Sequence, residues 1–212
     1  MTEWDLASAW ERDWWGDCVN TLYEEEKQMV YAEKMGLTRT PNPKTPYVFD
    51  LKGASVLDIG GGATSLLLKC VNFHDSWVVD PLISKHPKWV IDRYKSLGIK
   101  SIDLKGEELD KAVDMLKWDT FDECLVYNVL EHCEDPKKVI DNAKKLGKIV
   151  RLFEWIDTGV GVNSGHIHSF TEQQLNEWLG GQGKTDFIKR GGAVGHAYFG
   201  IWKGDNYVTS SS

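Results

Sequence analysis

Apolar and polar positions along the chain follow two rhythms. Over the first 35 or so residues, "TEWDLASAWERDWWGDCVNTLYEEEKQMVYAEKMG", aromatic and aliphatic side chains recur at helical rather than alternating spacing. That spacing predicts two amphipathic helices hinged near Gly16 and stopped at Gly36. "TRTPNPKTP" then sets three prolines in a short polar run. Proline lacks an amide donor and does not continue a helix, so this stretch reads as a semi-rigid connector. From Ala54 onward, short apolar runs alternate with longer helical segments. Strands are expected at "SVLDI", "SWVVD", "IKSIDL", "FDECLVY" and "KIVRLFEW", and helices starting near Thr64, Lys88, Glu107, Asp135 and Thr171. Short buried strands separated by helices predict an α/β fold, a parallel sheet with helices on both faces. "KTDFIKR" and "HAYFGIWK" are separated only by "GGAVG", which leaves no room for a helix and predicts an antiparallel hairpin at the sheet edge.

Composition narrows the picture without changing it. With 212 residues the chain can bury one sizeable core, so one domain with an appendage is expected. The division is a helical cap or lid with its linker over 1–46, a main domain over 47–205 and a frayed tail over 206–212. No run is apolar for long enough to span a bilayer, and "MTEWDLASAW" has neither a basic head nor an apolar signal core; a cytoplasmic protein, monomer or homodimer, with no membrane partner is expected. A formal charge of −7 weighs against a nucleic-acid partner, whose phosphates need Lys and Arg. Cys18, Cys70, Cys124 and Cys133 never form a C-x-x-C pair, so buried free thiols are expected rather than a zinc site or a disulfide framework.

The densest chemical signal is "SVLDIGGGATSLLLKC", Ser55 to Cys70. In an open parallel sheet, ligands bind beyond the carboxyl ends of the strands, where Gly60, Gly61 and Gly62 fall. Lacking Cβ atoms, they permit positive φ and close approach to the backbone, and the helix expected near Thr64 would turn free amides to the same place. Asp58 sits just before them, a costly position for a carboxylate unless something bonds to it. A tight turn in which Asp58 caps local amides would account for this stretch alone. Asp80, ending the next strand about 20 residues on, stands where a carboxylate accepts from ribose hydroxyls. Glu107 in "KGEEL" could accept from an adenine amino group or open a helix, and Asn128 lies just past the fourth strand. Ser65 stands where G-x-G-x-x-G needs its third glycine, and no G-x-x-x-x-G-K-[ST] occurs, so a nucleoside without a pyrophosphate remains.

Together these residues resemble the class I S-adenosylmethionine-dependent methyltransferases, in particular their small-molecule, methyltransferase-11 or ubiquinone-type branch. "VLDIGGGATS" looks like the first motif of that family, "VVD" like its ribose-binding acid, and "NVLEHCEDP" like its fourth-strand segment; Ala63 departs from it where many relatives carry glycine. The resemblance implies a Rossmann-like doubly wound sheet of seven strands, mostly parallel, with an antiparallel C-terminal hairpin, to which the N-terminal helical cap read above is added. It also implies S-adenosyl-L-methionine as cofactor. Asp58 and Gly60 to Gly62 would cradle its amino-acid portion, Asp80 its ribose, Pro81 and Leu82 its adenine ring, and Glu107 the adenine amino group, with Asn128 and Val129 lining the path to the sulfonium.

Methyl transfer from a sulfonium asks mainly for alignment and exclusion of water, with a base where the acceptor carries a proton. His166 and His168 in "NSGHIHSF", after the fifth strand, and His132 in "LEH" are the candidate bases, since imidazole titrates near neutrality. His166 and His168 also have the spacing of a metal pair or an exposed strand, but no third ligand is identifiable and no metal is expected. Glu131 reads as a helix-start acid, and His86 and His196 as surface residues. Of the tryptophans, Trp4 and Trp10 are expected to pack, whereas Trp14 and Trp15 are candidates to meet a substrate or cationic group. The post-strand "YNVL" lacks the Asn/Asp-Pro-Pro-aromatic stretch of amine-modifying base methyltransferases, and Cys133 is not beside Pro136. A small-molecule O- or N-acceptor is therefore expected. The rivals are a non-catalytic nucleoside-binding module of the same fold and a nucleic-acid or protein methyltransferase.

Overall fold

The computed structural model describes residues 4–6, 8–9, 18–41, 48–157, 165–190 and 193–205. Among the described residues seven strands form one sheet: β1 (Phe49–Ile59), β2 (Cys70–Val79), β3 (Lys100–Ile102), β4 (Phe121–Tyr127), β5 (Gly147–Asp157), β6 (Lys184–Arg190) and β7 (Ala193–Lys203). Their order is β3-β2-β1-β4-β5-β7-β6. The pairings from β3 through β5 are parallel, and β7 runs antiparallel to both β5 and β6. The expected hairpin is present, with its later strand inside the sheet and β6 at the edge.

Five α-helices with both ends among the described residues accompany the sheet: α1 (Cys18–Lys34), α2 (Lys88–Ser96), α3 (Leu109–Leu116), α4 (Pro136–Leu146) and α5 (Glu172–Leu179). Strand alternation sorts the core into two clusters. Val56, Leu125 and Phe153 join Tyr31, Ala32 and Met35 of α1 and its flank. Leu57, Val126 and Leu152 join Val139, Ile140 and Ala143 of α4 and Leu175 and Leu179 of α5. Neighbouring strand residues point to opposite faces, so apolar runs without polar breaks are what a sheet covered on both sides requires.

The caps explain where the helices stop and start. Gly36 at φ +83° ends α1, with the Leu37 amide donating to Ala32 O and the Gly36 amide to Glu33 O, a paired closure that needs a left-handed residue. Asp135 accepts from the Lys138 amide ahead of α4, and Thr171 from the Gln174 amide ahead of α5. At the start of the expected connector Arg39 pairs antiparallel with Phe49; residues 42–47 of that stretch lie outside the described residues. The helix expected near Thr64 is absent. Between β1 and β2 lies only a 3-10 turn, Leu66–Lys69. Leu66 and Leu67 are both buried and Leu68 is partly so; three successive apolar residues spread over most of a helix circumference and do not give it a single buried stripe. β2 then begins at Cys70, paired with Phe49. Among the described residues, no helix is long and apolar enough to cross a membrane. Cys70, Cys124 and Cys133 are buried free thiols, as expected.

Candidate active site

Ile59 pairs with Val79 on one side and Val126 on the other, so the carboxyl ends of β1, β2 and β4 are level. The strand order reverses between β1 and β4, and the loops leaving them diverge to open a crevice. A cavity of about 220 Å³ fills it. It brings together Asp58, Gly60 to Gly62, Asp80, Pro81, Glu107, Asn128, Val129, His132 and His166 from the sequence-derived set. Leu82 and His168 do not line it. Trp10, Trp14, Trp15 and Gly16 lie outside the described residues. Trp4, expected only to pack, lines the cavity, with Lys105 Nζ 3.7 Å from its ring centroid. Glu24, Lys27 and Gln28 of α1 complete that side.

The glycine loop is held by its own chain. The Gly60 amide donates to Val79 O at 2.7 Å, and at φ +75° a Cβ there would lie 2.1 Å from Val129 Cγ2. At Gly61 a Cβ would lie 2.9 Å from both Asp58 Oδ2 and Val78 Cγ1. The Gly62 amide donates to Asp80 Oδ2 at 3.2 Å, while Gly62 O accepts from the Tyr94 hydroxyl at 2.6 Å. That hydroxyl accepts in turn from the Ser65 amide at 3.2 Å. Tyr94 is fully buried and fastens the loop to α2. It escaped the sequence reading because an aromatic in "VIDRYKS" has the spacing of ordinary core.

Asp58 Oδ2 accepts from Ser65 Oγ at 2.5 Å, whereas Oδ1 is buried and has no hydrogen-bond donor among the described residues. Burial pushes this carboxyl up to about 6, with the Asp80 charge adding to the rise and the Ser65 hydroxyl and Leu66 amide opposing it. Asp80 accepts the Leu82 amide on Oδ1 at 2.7 Å, so a backbone amide is bound to each of its oxygens. His86 is buried rather than at the surface, with Nε2 4.0 Å from Asp80 Oδ1; burial holds its imidazole below the usual range. Asn128 sits at φ +52°, which a short polar side chain tolerates. Its side-chain Oδ1 is likewise buried with no donor among the described residues. Glu107 Oε1 accepts the amides of Glu134 and Asp135 at 2.8 and 3.2 Å, bracing the turn before α4 while facing the cavity.

At the other end of the cavity, Glu131 opens the short 3-10 turn Leu130–His132, as expected of a helix-start acid, but it does more. It is buried, with Oε1 3.6 Å from His132 Nε2 and 3.5 Å from His166 Nε2. The two imidazoles meet edge to face at 5.1 Å between centroids. His132 Nδ1 lies 2.6 Å from Gly165 O, which fixes the proton on Nδ1 and leaves the Nε2 lone pair toward Glu131. Burial pushes both imidazoles down to about 4, His132 with slight opposition from its Gly165 bond and His166 with the neighbouring His132 adding to the fall. His168 Nε2 lies 2.7 Å from Cys133 O and ties the loop after β5 to the loop after β4.

Glu154, on β5, supports this end from behind. Fully buried, it accepts the Leu130 amide on Oε2 at 2.6 Å and the Trp155 amide on Oε1 at 3.0 Å. Burial pushes its carboxyl up to about 8 against the pull of those amides and of Val129 and Glu131. The sequence carries its signal: a lone acid inside "IVRLFEWI", where an unbroken apolar run would suffice.

No family profile matches the chain, and no curated protein sequence matches it. Solved structures do. A methyltransferase from Aquifex aeolicus described as S-adenosylmethionine-dependent superposes with a TM-score of 0.54 at 14% identity, covering 90% of this chain and 96% of that one. The N-methyltransferase NodS from Bradyrhizobium japonicum WM9, in complex with S-adenosylhomocysteine, gives 0.55 at 16% identity over 72% of this chain and 79% of its own. The 1,6-didemethyltoxoflavin-N1-methyltransferase from Burkholderia thailandensis, with that substrate and S-adenosylhomocysteine bound, gives 0.52 at 19% over 71% and 70%. At these identities the likeness is one of backbone architecture, and with the strand order above it establishes that the chain has the class I methyltransferase fold.

Proposed function

We propose that the protein is an S-adenosylmethionine-dependent methyltransferase acting on an oxygen or nitrogen of a small-molecule acceptor. The observation that carries this reading is a pair of buried acceptors without donors among the described residues, Asp58 Oδ1 and Asn128 Oδ1, on side chains that line the cavity together with a main chain kept bare at Gly60 and Gly61. Buried acceptors without donors are unfavourable, and a ligand carrying an ammonium and hydroxyls repairs them. The cofactor, once bound, supplies an already activated methyl group. The residues of the chain then bind and align: Asp58 and Asn128 offer acceptors to the amino-acid portion, Asp80 offers its carboxylate to ribose hydroxyls, and Glu107 retains Oε2 for an adenine amino group. Val129, packed on Gly60, fixes the position of the sulfur's surroundings. His132 and His166, neutral at physiological pH, present lone pairs at the acceptor end, where either can receive the proton that an O–H or N–H acceptor loses as its bond to carbon forms. The complexes of the NodS and toxoflavin enzymes support the reading by analogy of fold.

The test is incubation with methyl-labelled S-adenosylmethionine and a deproteinised metabolite extract. Label in a low-molecular-weight product is expected. Label confined to protein or nucleic acid would replace the acceptor class, and tight cofactor binding without any labelled product would make the chain a binding module.

A further inference from the structure

Glu131, His132 and His166 bring one carboxylate oxygen and two imidazole nitrogens to the cavity wall, with one ligand atom from each lying within 4.8 Å of the other two. The separations of 3.5 and 3.6 Å from Glu131 Oε1 to the two Nε2 atoms exceed an ordinary hydrogen bond. They lie close to the spacing of about 3.3–3.4 Å between ligands of a tetrahedral ion held at about 2.0–2.1 Å. We propose that these three side chains form a binding site for a divalent transition ion of the zinc class, with an open coordination position facing the cavity.

Two further features fit such a site. The Gly165 carbonyl at His132 Nδ1 is the kind of outer partner that fixes the tautomer and orientation of a ligating imidazole. The ligands come from two loops that are themselves anchored: Glu154 holds the Leu130 amide, the Ile167 amide donates to Glu131 O at 2.9 Å, and His168 binds Cys133 O. One carboxylate and two imidazoles match the N and O donors that borderline ions prefer, and three protein ligands leave a position for water or substrate. The inference deepens the methyltransferase reading in one respect, which rests on that reading: with the ion bound, His132 and His166 act as ligands in place of bases, and the ion would hold the acceptor through its nucleophilic oxygen or nitrogen and lower the pKa of a hydroxyl bound there, whose proton passes to solvent.

The test uses Co²⁺ as a spectroscopic probe on chelator-treated, full-length protein without cofactor. One equivalent should bind with visible d–d absorption, and Zn²⁺ should displace it. Glu131→Gln and His166→Asn should each weaken binding at least about ten-fold, whereas His74→Asn, on exposed β2, should not. Thermal melting of each variant separates loss of a ligand from loss of fold. Absence of d–d bands in the folded wild-type protein, or equal Co²⁺ affinity in a folded Glu131→Gln or His166→Asn variant, would overturn the proposal. A parallel titration with S-adenosylhomocysteine reads the methyltransferase hypothesis separately, since either ligand can bind when the other does not.

Discussion

Asp58 gives the cofactor hypothesis a quantitative handle. Its carboxyl is 1% exposed and raised from an ordinary 3.8 to about 6 by burial and by Asp80. It therefore still carries a proton over part of the range between those two values, where an unfolded chain would have lost it. A ligand ammonium placed against Oδ1 favours the ionised form, so binding below the raised pKa must expel that proton. With a pKa of about 6, roughly 0.8 of a proton is released per ligand at pH 5.5 and about 0.1 at pH 7, and affinity is about four-fold weaker at the lower pH. Calorimetric titration with S-adenosylhomocysteine at both pH values, in buffers of different ionisation enthalpy, reads proton release and affinity together. The same shift acts on stability: Asp58 contributes fully below about pH 4 and its contribution is lost as pH rises through about 6, an effect of at most about 3 kcal/mol. Asp58→Asn should abolish the proton release and flatten the corresponding slope of stability against pH. Binding with equal affinity and no proton release at pH 5.5, or release that persists in Asp58→Asn, would refute the reasoning.

Other consequences are equally direct. Tyr94→Phe removes the hydroxyl that joins Gly62 O to the Ser65 amide without touching the cavity; it should cost about 1–3 kcal/mol in urea unfolding and also weaken S-adenosylhomocysteine binding. Gly60→Ala, facing Val129 Cγ2 at positive φ, should lower the melting temperature and reduce cofactor affinity at least about ten-fold by closing the main-chain bend. Glu154→Ala should destabilise the protein by about 2–4 kcal/mol by orphaning the Leu130 and Trp155 amides, measured by denaturant titration. Arg151 binds both oxygens of Glu123 and donates to Met35 O; Arg151→Lys, which cannot reproduce the fork, should lower the melting temperature nearly as far as Arg151→Ala.

The sheet was legible because its strands carry short apolar runs at their buried carboxyl ends: β4 begins and ends where "FDECLVY" does, and Cys124 to Tyr127 are all buried. The Asp58, glycine-loop and Asp80 positions were legible because the strand ends place them. The crossover after β1 was not. "SLLLKC" has the length of a helix start, and only its pairing partner, the early part of β1 from Phe49, dictates that the chain turns once and becomes strand at Cys70. Glu131 was missed as a neighbour of His166 because 35 residues separate them, and the contact depends on the loop after β5 folding back to pair the Ile167 amide with Glu131 O. His86 was misplaced for the same reason: its burial follows from the turn that Asp80 builds through the Leu82 amide.

The central claim is that the bend at Gly60–Gly62 and the carboxylate of Asp80 hold one adenosyl ligand between them. Crystallography of the complex with S-adenosylhomocysteine tests it most directly. The account predicts the amino-acid portion over the glycine bend, within hydrogen-bonding distance of Asp58 or Asn128, and the ribose hydroxyls on Asp80. Density for the ligand elsewhere on the molecule, or a complex in which Asp80 touches no part of the ribose, would contradict it.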